Sequence, residues 1–217
     1  MQLGALFDWD GVIIDSSGQH EESWELLAAE IGKPLPADHF LRGFGMKNQV
    51  IIPRILRWTE DADEIHRYSL RKEELYRAIV RERGIEPLPG VIPLLRMLAE
   101  HGVRCAVASS THRENIETIF DVIGVRPFFD AVVTAEDVSH GKPDPEVFVK
   151  SAERIGCPPG RCVVFEDAHV GIEAGLAAGA KVIAVATTNP LESLGEADLA
   201  VASLEDIGWD DFSALFV

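Results

Sequence analysis

The sequence has few cysteines, no excess of positive charge and no long apolar run. Its three cysteines, Cys105, Cys157 and Cys162, are an odd number and stand in no CxxC or Cys/His spacing. This number and spacing predict buried thiols in a reducing cytoplasm rather than disulfides or a zinc site. Lysine and arginine number 20 against 36 aspartates and glutamates, a formal net charge of -16. Such a chain would repel a nucleic-acid backbone, so we expect no nucleic-acid partner.

Membrane signals are missing as well. No stretch approaches the ~18 consecutive apolar residues that cross a bilayer, and the apolar run at the amino terminus is too short and has no basic leader to act as a signal peptide. We therefore expect a cytoplasmic protein without membrane contact. The chain does have 217 residues, 47% of them hydrophobic. That is enough for a sizeable core in one large domain, or in one domain with a smaller insertion.

Five apolar, β-branched runs alternate with helical spacing along most of the chain. This alternation is typical of an α/β fold, a Rossmann-like parallel sheet with helices on both faces. The predicted strands are Leu3–Phe7, Val103–Ala108, Ala131–Val133, Cys162–Phe165 and Lys181–Val185. The predicted helices are Val91–Glu100, Glu114–Ile123, Pro145–Ile155 and His169–Ala178, each followed by a glycine of the kind that ends helices, namely Gly102, Gly124, Gly156 and Gly179. The tail after Leu199 predicts a short strand or helix at the sheet edge.

One segment breaks this alternation. From about Ser16 to Leu88 the pattern is helical only, and its longest helix carries Leu70, Leu75, Ile79 and Val80 on roughly one face. The sequence therefore predicts a core domain of residues 1–15 and 89–217, with a helical domain of residues 16–88 inserted after the first strand.

Polar side chains stand where several predicted strands end. Ligands of open parallel sheets bind beyond the carboxyl ends of the strands, so these side chains are expected to converge on one spot. The candidates are Asp8 and Asp10 after the first strand, Ser109, Ser110 and Thr111 after the second, Glu166 and Asp167 after the CVVF run, and Lys142 in the loop SHGKPDPE.

Converging carboxylates repel one another unless a cation joins them, and ligands that are all oxygen favour Mg²⁺ over zinc. A carboxylate facing an electrophilic phosphorus can attack it and form an acyl phosphate. A second acid two residues away can protonate the leaving alcohol and later take a proton from water, which gives Asp8 and Asp10 different roles. The hydroxyl of Ser109 and the ammonium of Lys142 can hold the phosphoryl oxygens.

Four segments carry a resemblance to a known family. FDWDGVIIDS, AVASST, GKPDPEVF and FEDAHVGIEAGLAAGA resemble, in order, the four signatures of the haloacid dehalogenase superfamily. The resemblance is closer still to its β-phosphoglucomutase-like phosphatases, which have a helical cap after the first strand. It implies an Mg²⁺-dependent phosphatase acting on a small phosphorylated metabolite. The namesake dehalogenases lack the second aspartate, so Asp10 favours phosphoryl transfer.

The resemblance also implies roles for individual residues. Asp8 matches the nucleophile, and Asp10 matches the general acid and base, whose backbone carbonyl also binds Mg²⁺. The residues that match the rest of the metal site are Asp167 and Glu166, and those that match the phosphate-binding positions are Ser109, Ser110 and Lys142.

Three residues of the helical segment match substrate-binding positions of sugar-phosphate mutases or lie beside them: His20, Lys47 and Lys72. The loop RGFGMKNQ matches the specificity loop of the cap, where glycines allow a close approach. The strings FGMKNQVIIPRILRW and RKEELYR also resemble the cap of phosphatases that act on the ribitylaminouracil phosphate of riboflavin synthesis. Sugar phosphates and phosphoglycolate are the other candidate substrates.

Two alternatives to a phosphatase remain open. The first is a phosphosugar mutase, which holds a second phosphate; the mutase pattern has an arginine where this chain has Met46, so bidentate phosphate binding is absent there. The second is a receiver-type switch phosphorylated on aspartate, which lacks a helical insertion and needs no acid at position 10. We favour the phosphatase, and we expect a monomer.

Overall fold

A computed structural model describes residues 2–43 and 46–217 of the chain. The structure divides into two compact units. One comprises Met1–Asp15 and Ile85–Val217, and the other Ser16–Gly84. Phe44 and Gly45, in the centre of the predicted specificity loop, lie outside the described residues.

The first unit is built on a six-stranded parallel sheet. Its strands are β1 (Gly4–Phe7), β2 (Arg104–Ala108), β3 (Ala131–Val133), β4 (Cys162–Glu166), β5 (Lys181–Val185) and β6 (Leu199–Val201). Their order in the sheet is β3-β2-β1-β4-β5-β6, with Phe7 in register with Val107 on one side and Phe165 on the other. The predicted α/β fold is confirmed, and the tail supplies the sixth strand.

The α-helices in the described residues of this unit are α5 (Val91–Glu100), α6 (Arg113–Ile123), α7 (Glu146–Arg154), α8 (His169–Ala177) and α9 (Trp209–Ala214). The glycines predicted to follow four of them have φ between 68° and 78°, a backbone conformation that glycine adopts without strain. These positions confirm the helix ends that the sequence predicts.

Successive strand residues point to opposite sides of the sheet, so its apolar strands make both faces apolar, and helices cover both. On one face, Leu6 packs in a buried cluster with Phe148 of α7 and Ile172 of α8. On the other, the Phe165 ring stacks on Phe7 at 4.6 Å between ring centroids and lies 6.4 Å from the ring of Phe212 of α9. The sheet is therefore buried on both sides, as its near-continuous apolar strands require.

The second unit is helical. It contains α1 (Ser17–Ile31), α2 (His39–Gly43), α3 (Asn48–Val50), a π-helical segment Ile51–Leu56 and α4 (Ala62–Arg83). Trp24, Leu27, Ile52 and Trp58 form the centre of its own buried core. The prediction that Leu70 shares the apolar face of α4 is wrong, since this side chain is 53% exposed.

The chain returns to the sheet unit slightly before the predicted boundary at residue 89. The N–H of Leu88 donates to the carbonyl of Ile13, and Pro87 forms a β-bridge with Ile14. Residues 85–88, which the sequence analysis assigns to the insertion, thus lie with the sheet unit.

The cysteines are where the sequence predicts them. All three are buried and have free thiols, and burial raises the pKa of Cys105 to about 12. None of the helices in the described part of the chain has the length and apolar character needed to cross a membrane.

Candidate active site

The site begins at the carboxyl end of β1. The N–H of Asp8 donates to the carbonyl of Phe165 at 3.0 Å, so the backbone at Asp8 still belongs to the sheet. The chain then turns at Gly11, which has φ of +85° and donates its N–H to the carbonyl of Ile14 at 2.7 Å. This turn keeps Asp8 and Asp10 at the edge of the sheet.

Lys142 joins two of the predicted acids. Its ammonium donates to Oδ1 of Asp8 and, at 2.6 Å, to Oε1 of Glu166. Its side chain is only 7% exposed. Carboxylate oxygens of Asp8, Glu166 and Asp167 all lie within 4.8 Å of one another. The structure therefore brings four of the predicted residues, from three distant stretches of chain, into one cluster, which we call the carboxylate cluster (Asp8, Lys142, Glu166, Asp167).

Glu166 is held by the turn that follows its own strand. Its Oε2 accepts hydrogen bonds from the N–H groups of Asp167 at 2.9 Å and Ala168 at 3.0 Å, which leaves Oε1 for Lys142. Gly171 in α8 makes room for this carboxylate, because a Cβ at that position would lie 1.8 Å from Oε1. A larger residue at 171 would displace the carboxylate from the cluster.

Asp167 is held by residues for which the sequence analysis assigns no role. The hydroxyl of Thr188 donates to Oδ2 of Asp167, and the side-chain amide of Asn189 donates to its backbone carbonyl at 2.9 Å. Thr187 donates to the carbonyl of Gly11. These three residues follow β5, so the rule that selects polar residues at carboxyl strand ends would also have selected them.

Asp10 lies beside the residues that follow β2. Its Oδ2 accepts the hydroxyl of Thr111 at 2.6 Å, and the N–H of Thr111 donates to the hydroxyl of Ser109 at 3.0 Å. Ser109 is buried and Ser110 is exposed. The sequence analysis places Thr111 among the polar residues expected at this edge of the sheet without assigning it a role, and the structure shows its contact with Asp10.

Burial and mutual repulsion shape the acidity of the carboxylate cluster. Burial raises the pKa of Asp8 well above its ordinary value; Lys142 opposes this rise, while Glu166 and Asp167 add to it. Burial raises the pKa of Asp167 to about 6, against the hydrogen bond from Thr188. Burial alone would lower the pKa of Lys142. The charges of Asp8 and Glu166 have the larger effect, so the pKa of Lys142 lies above its ordinary value.

The residues predicted in the helical unit have different surroundings. Lys72 is buried, with only 2% of the residue exposed. Its ammonium lies 2.5 Å from Nδ1 of His20 and 3.0 Å from Oε1 of Glu73. Asn48 donates to the same oxygen of Glu73 at 2.8 Å. Lys47, in contrast, is exposed. The structure thus joins His20 and Lys72 and leaves Lys47 on the surface of its unit.

Three buried carboxylates beside one ammonium leave two negative charges to be compensated. All the available donors are oxygens, which is the ligand set of Mg²⁺ rather than of zinc. An electrophilic phosphate held at such a cation would face the carboxylate of Asp8. The cluster is therefore suited to phosphoryl transfer.

Known proteins match the chain over most of its length. The family model described as haloacid dehalogenase-like hydrolase matches residues 4–179. The chain is 38% identical over 216 residues to 5-amino-6-(5-phospho-D-ribitylamino)uracil phosphatase, chloroplastic, of Arabidopsis thaliana, covering 98% of this chain and 57% of that protein. The chain thus spans little more than half the length of that relative.

Two further matches cover both chains more fully. Hexitol phosphatase A of Escherichia coli (strain K12) is 34% identical over 204 residues, covering 94% of this chain and 92% of that protein. Among solved structures, β-phosphoglucomutase (pgmB) from Clostridium difficile has a TM-score of 0.84 at 24% identity, covering 100% of this chain and 97% of that one. The structural match shows a shared fold.

Proposed function

The chain belongs to the haloacid dehalogenase-like hydrolase family, and on that premise we propose that it hydrolyses a phosphate monoester of a small metabolite through a phospho-aspartate on Asp8. The contact of Lys142 with both Asp8 and Glu166, beside Asp167, is the observation that carries this proposal. The family and the enzyme class predicted from the motifs are confirmed, since the relatives are named phosphatases. This enzyme class removes the receiver-type switch as an alternative.

The carboxylate cluster fits a divalent cation. Its uncompensated charge is that of two carboxylates, its donors are oxygens, and its members are already within 4.8 Å of one another. In our proposal, Asp8, Asp167 and the backbone carbonyl of Asp10 would hold Mg²⁺, together with Glu166, which belongs to the same cluster. When bound, Mg²⁺ supplies positive charge that stabilises the charge developing on the phosphoryl oxygens.

In the first proposed step, a carboxylate oxygen of Asp8 forms a bond to phosphorus while the bond from phosphorus to the alcohol oxygen of the substrate breaks. Lys142 stands beside the attacking carboxylate, where its ammonium can hold a phosphoryl oxygen as charge moves onto it. The hydroxyls of Ser109 and Ser110 would hold the phosphate from the adjacent turn. One ammonium and two hydroxyls would therefore orient the phosphoryl group for attack by Asp8.

Asp10 completes both steps as general acid and base. It gives its proton to the departing alcohol, and the carboxylate then takes a proton from the water that attacks the phosphorus of the phospho-aspartate. This attack breaks the bond between Asp8 and phosphorus, frees inorganic phosphate and restores both acids. The hydrogen bond from Thr111 fixes the carboxylate of Asp10 at the edge of the sheet.

The substrate class that we propose is a sugar or polyol phosphate. The two phosphatase relatives are named for substrates of this kind, a phosphoribityl compound and hexitol phosphates. Among the candidate residues of the helical unit, Lys47 is exposed and accessible to a ligand, whereas the ammonium of Lys72 has His20 and Glu73 as partners. The cytoplasmic location and the monomeric state stay predictions from the sequence.

A phosphosugar mutase is the second candidate. Its support is the motif resemblance, and the 24% identity with the phosphoglucomutase structure speaks for fold alone. Met46, where the mutase pattern has arginine, argues against the second phosphate site that a mutase needs. Release of inorganic phosphate in place of an isomerised sugar phosphate distinguishes the two.

The test measures phosphate release from p-nitrophenyl phosphate and from a panel of sugar and polyol phosphates, with Mg²⁺ and with excess chelator. We expect turnover with Mg²⁺ only, and a loss of about 10³-fold or more in Asp8→Asn, because the nucleophile is removed. Asp121→Asn, at an exposed position of α6, is the matched control and should keep wild-type turnover. A folded Asp8→Asn protein with wild-type activity would refute the proposed nucleophile.

A further inference from the structure

The turn after β5 lies against the carboxylate cluster. β5 pairs in parallel with β4, and Glu166 at the end of β4 is in register with Ala184. Residues 187–189 therefore emerge at the same edge of the sheet as Asp167. The three side chains of this turn, Thr187, Thr188 and Asn189, all donate hydrogen bonds toward the cluster or the β1 turn.

Two of these bonds fix Asp167. The hydroxyl of Thr188 donates to Oδ2 of the carboxylate, and Asn189 donates to the backbone carbonyl at 2.9 Å. The N–H of Asp167 donates to Oε2 of Glu166. Asp167 is thus held at its amide, its carbonyl and one oxygen of its side chain.

The β1 turn limits the carboxylate from another side. A Cβ at Gly11 would lie 2.0 Å from Oδ2 of Asp167 and 3.0 Å from the hydroxyl of Thr188. A side chain at position 11 would therefore collide with the hydrogen bond between Thr188 and Asp167, and glycine avoids this. Gly11 has φ of +85°, so its backbone also disfavours any other residue.

We propose that Thr188 is a positioning residue for the cation at the carboxylate cluster, acting through its hydrogen bond to Asp167. The inference rests on the proposed function, since it assumes that Asp167 is a cation ligand. A carboxylate free to rotate loses that freedom when it binds a cation, whereas one already held by a hydroxyl loses less. Thr188 holds one oxygen and so presents the remainder of the carboxylate to the cluster in one orientation.

Thr188 is well suited to a direct test. It is exposed, so replacing it should disturb packing little. Thr188→Val removes the donor and keeps the branched shape, while Thr188→Ser keeps the donor and removes a methyl group. Thr187→Val is the matched control, because Thr187 lies in the same turn but donates to the carbonyl of Gly11 rather than to a carboxylate.

The readout is the rise in melting temperature during a titration with Mg²⁺ of the full-length protein, in the absence of substrate. We expect the Mg²⁺ concentration at half-effect to rise about 10-fold in Thr188→Val, the lower end of the range for residues that orient metal ligands. Thr188→Ser and Thr187→Val should resemble wild type, and all variants should melt as wild type does without Mg²⁺.

Each other outcome overturns a specific part of the argument. A wild-type protein whose melting temperature does not respond to Mg²⁺ contradicts the metal site of the proposed function. A wild type that responds, with Thr188→Val responding at the same Mg²⁺ concentration, contradicts the role of Thr188 alone. An equal loss in Thr187→Val, or no rescue in Thr188→Ser, would assign the effect to the turn as a whole and overturn the inference.

Discussion

At the scale of single residues, Lys142 faces the carboxylates of Asp8 and Glu166, and Asp167 completes the group. Burial strengthens every interaction among these charges, because little water is present to screen them. One ammonium neutralises one of the three acids, so a divalent cation is the partner that would balance the remainder. The same imbalance explains why burial and neighbouring acids raise the pKa of Asp8.

The position of Glu166 in the carboxylate cluster can be tested by adding one methyl group at Gly171. Alanine in place of glycine favours a helix by about 1 kcal/mol, but the new Cβ would stand 1.8 Å from Oε1 of Glu166. We expect Gly171→Ala to displace Glu166 from Lys142 and to lower phosphatase activity about 10-fold or more, as loss of a residue that supports a metal site does.

The matched control is Gly18→Ala in α1, where a Cβ would meet nothing within 4 Å. It should keep wild-type activity and a melting temperature at least as high as that of wild type. Wild-type activity in Gly171→Ala would show that the position of Glu166 is unimportant for turnover.

At the scale of elements, the contact between α1 and α4 includes a partly buried histidine. The ring of His20 stacks on Tyr76 at 4.0 Å, and its Nδ1 faces the ammonium of Lys72. Burial, together with the charge of Lys72, lowers the pKa of His20 from 6.5 to about 3. His20 is therefore neutral in the folded protein and accepts a hydrogen bond from Lys72.

This shift predicts a dependence of stability on pH. Between pH 6.5 and 3 the unfolded chain binds a proton at His20 and the folded chain does not, so this residue makes the free energy of unfolding fall as the pH is lowered. The limiting slope for one proton is about 1.4 kcal/mol per pH unit. His20→Gln keeps an acceptor and does not titrate, so it should lack this share of the slope.

The measurement compares urea unfolding of wild type and His20→Gln from pH 7 to pH 4. The unfolding free energy of wild type minus that of His20→Gln should fall steadily as the pH drops below 6.5. Above pH 7 this difference should be constant. A difference that does not vary with pH would contradict a neutral His20 in the folded protein.

The same helix pair shows where reasoning from sequence fails. The buried residues of α4 recur every three or four positions, but Lys72 and Glu73 are among them and Leu70 is not. A pattern that counts only apolar residues assigns charged ones to the surface. It misses a buried lysine whose partners, His20 on α1 and its own neighbour Glu73, come from the tertiary fold.

At the scale of the whole molecule, the parallel sheet explains why so much could be predicted. Alternating runs fix strand order only loosely, but every parallel strand ends at the same edge, so Asp8 and Glu166 meet there. The connection between β3 and α7 brings Lys142 to both, although more than a hundred residues separate it from Asp8. The helix-ending glycines gave the element boundaries.

What the sequence did not reveal are the partners of the turn residues. Thr111 and Thr188 follow strands as the candidate acids do, but their hydrogen bonds to Asp10 and Asp167 become visible only when the turns are placed in space. In the sequence, Gly11 looks like an ordinary turn residue and Gly171 like an ordinary helix residue. In the structure, Gly11 lies against the carboxylate of Asp167 and Gly171 against that of Glu166. These contacts depend on distances that no pattern in the chain encodes.

The most direct test of the central claim is chemical capture of the acyl phosphate on Asp8. The protein would be mixed with Mg²⁺ and a sugar phosphate that it hydrolyses, and the reaction would be quenched in acid during turnover. The protein would then be reduced with borohydride and digested for peptide mass spectrometry. Borohydride reduces an acyl phosphate but not a free carboxylate. We predict homoserine at position 8, found only when substrate is present. An unmodified Asp8 during active turnover, or modification of another acid in its place, would contradict the account.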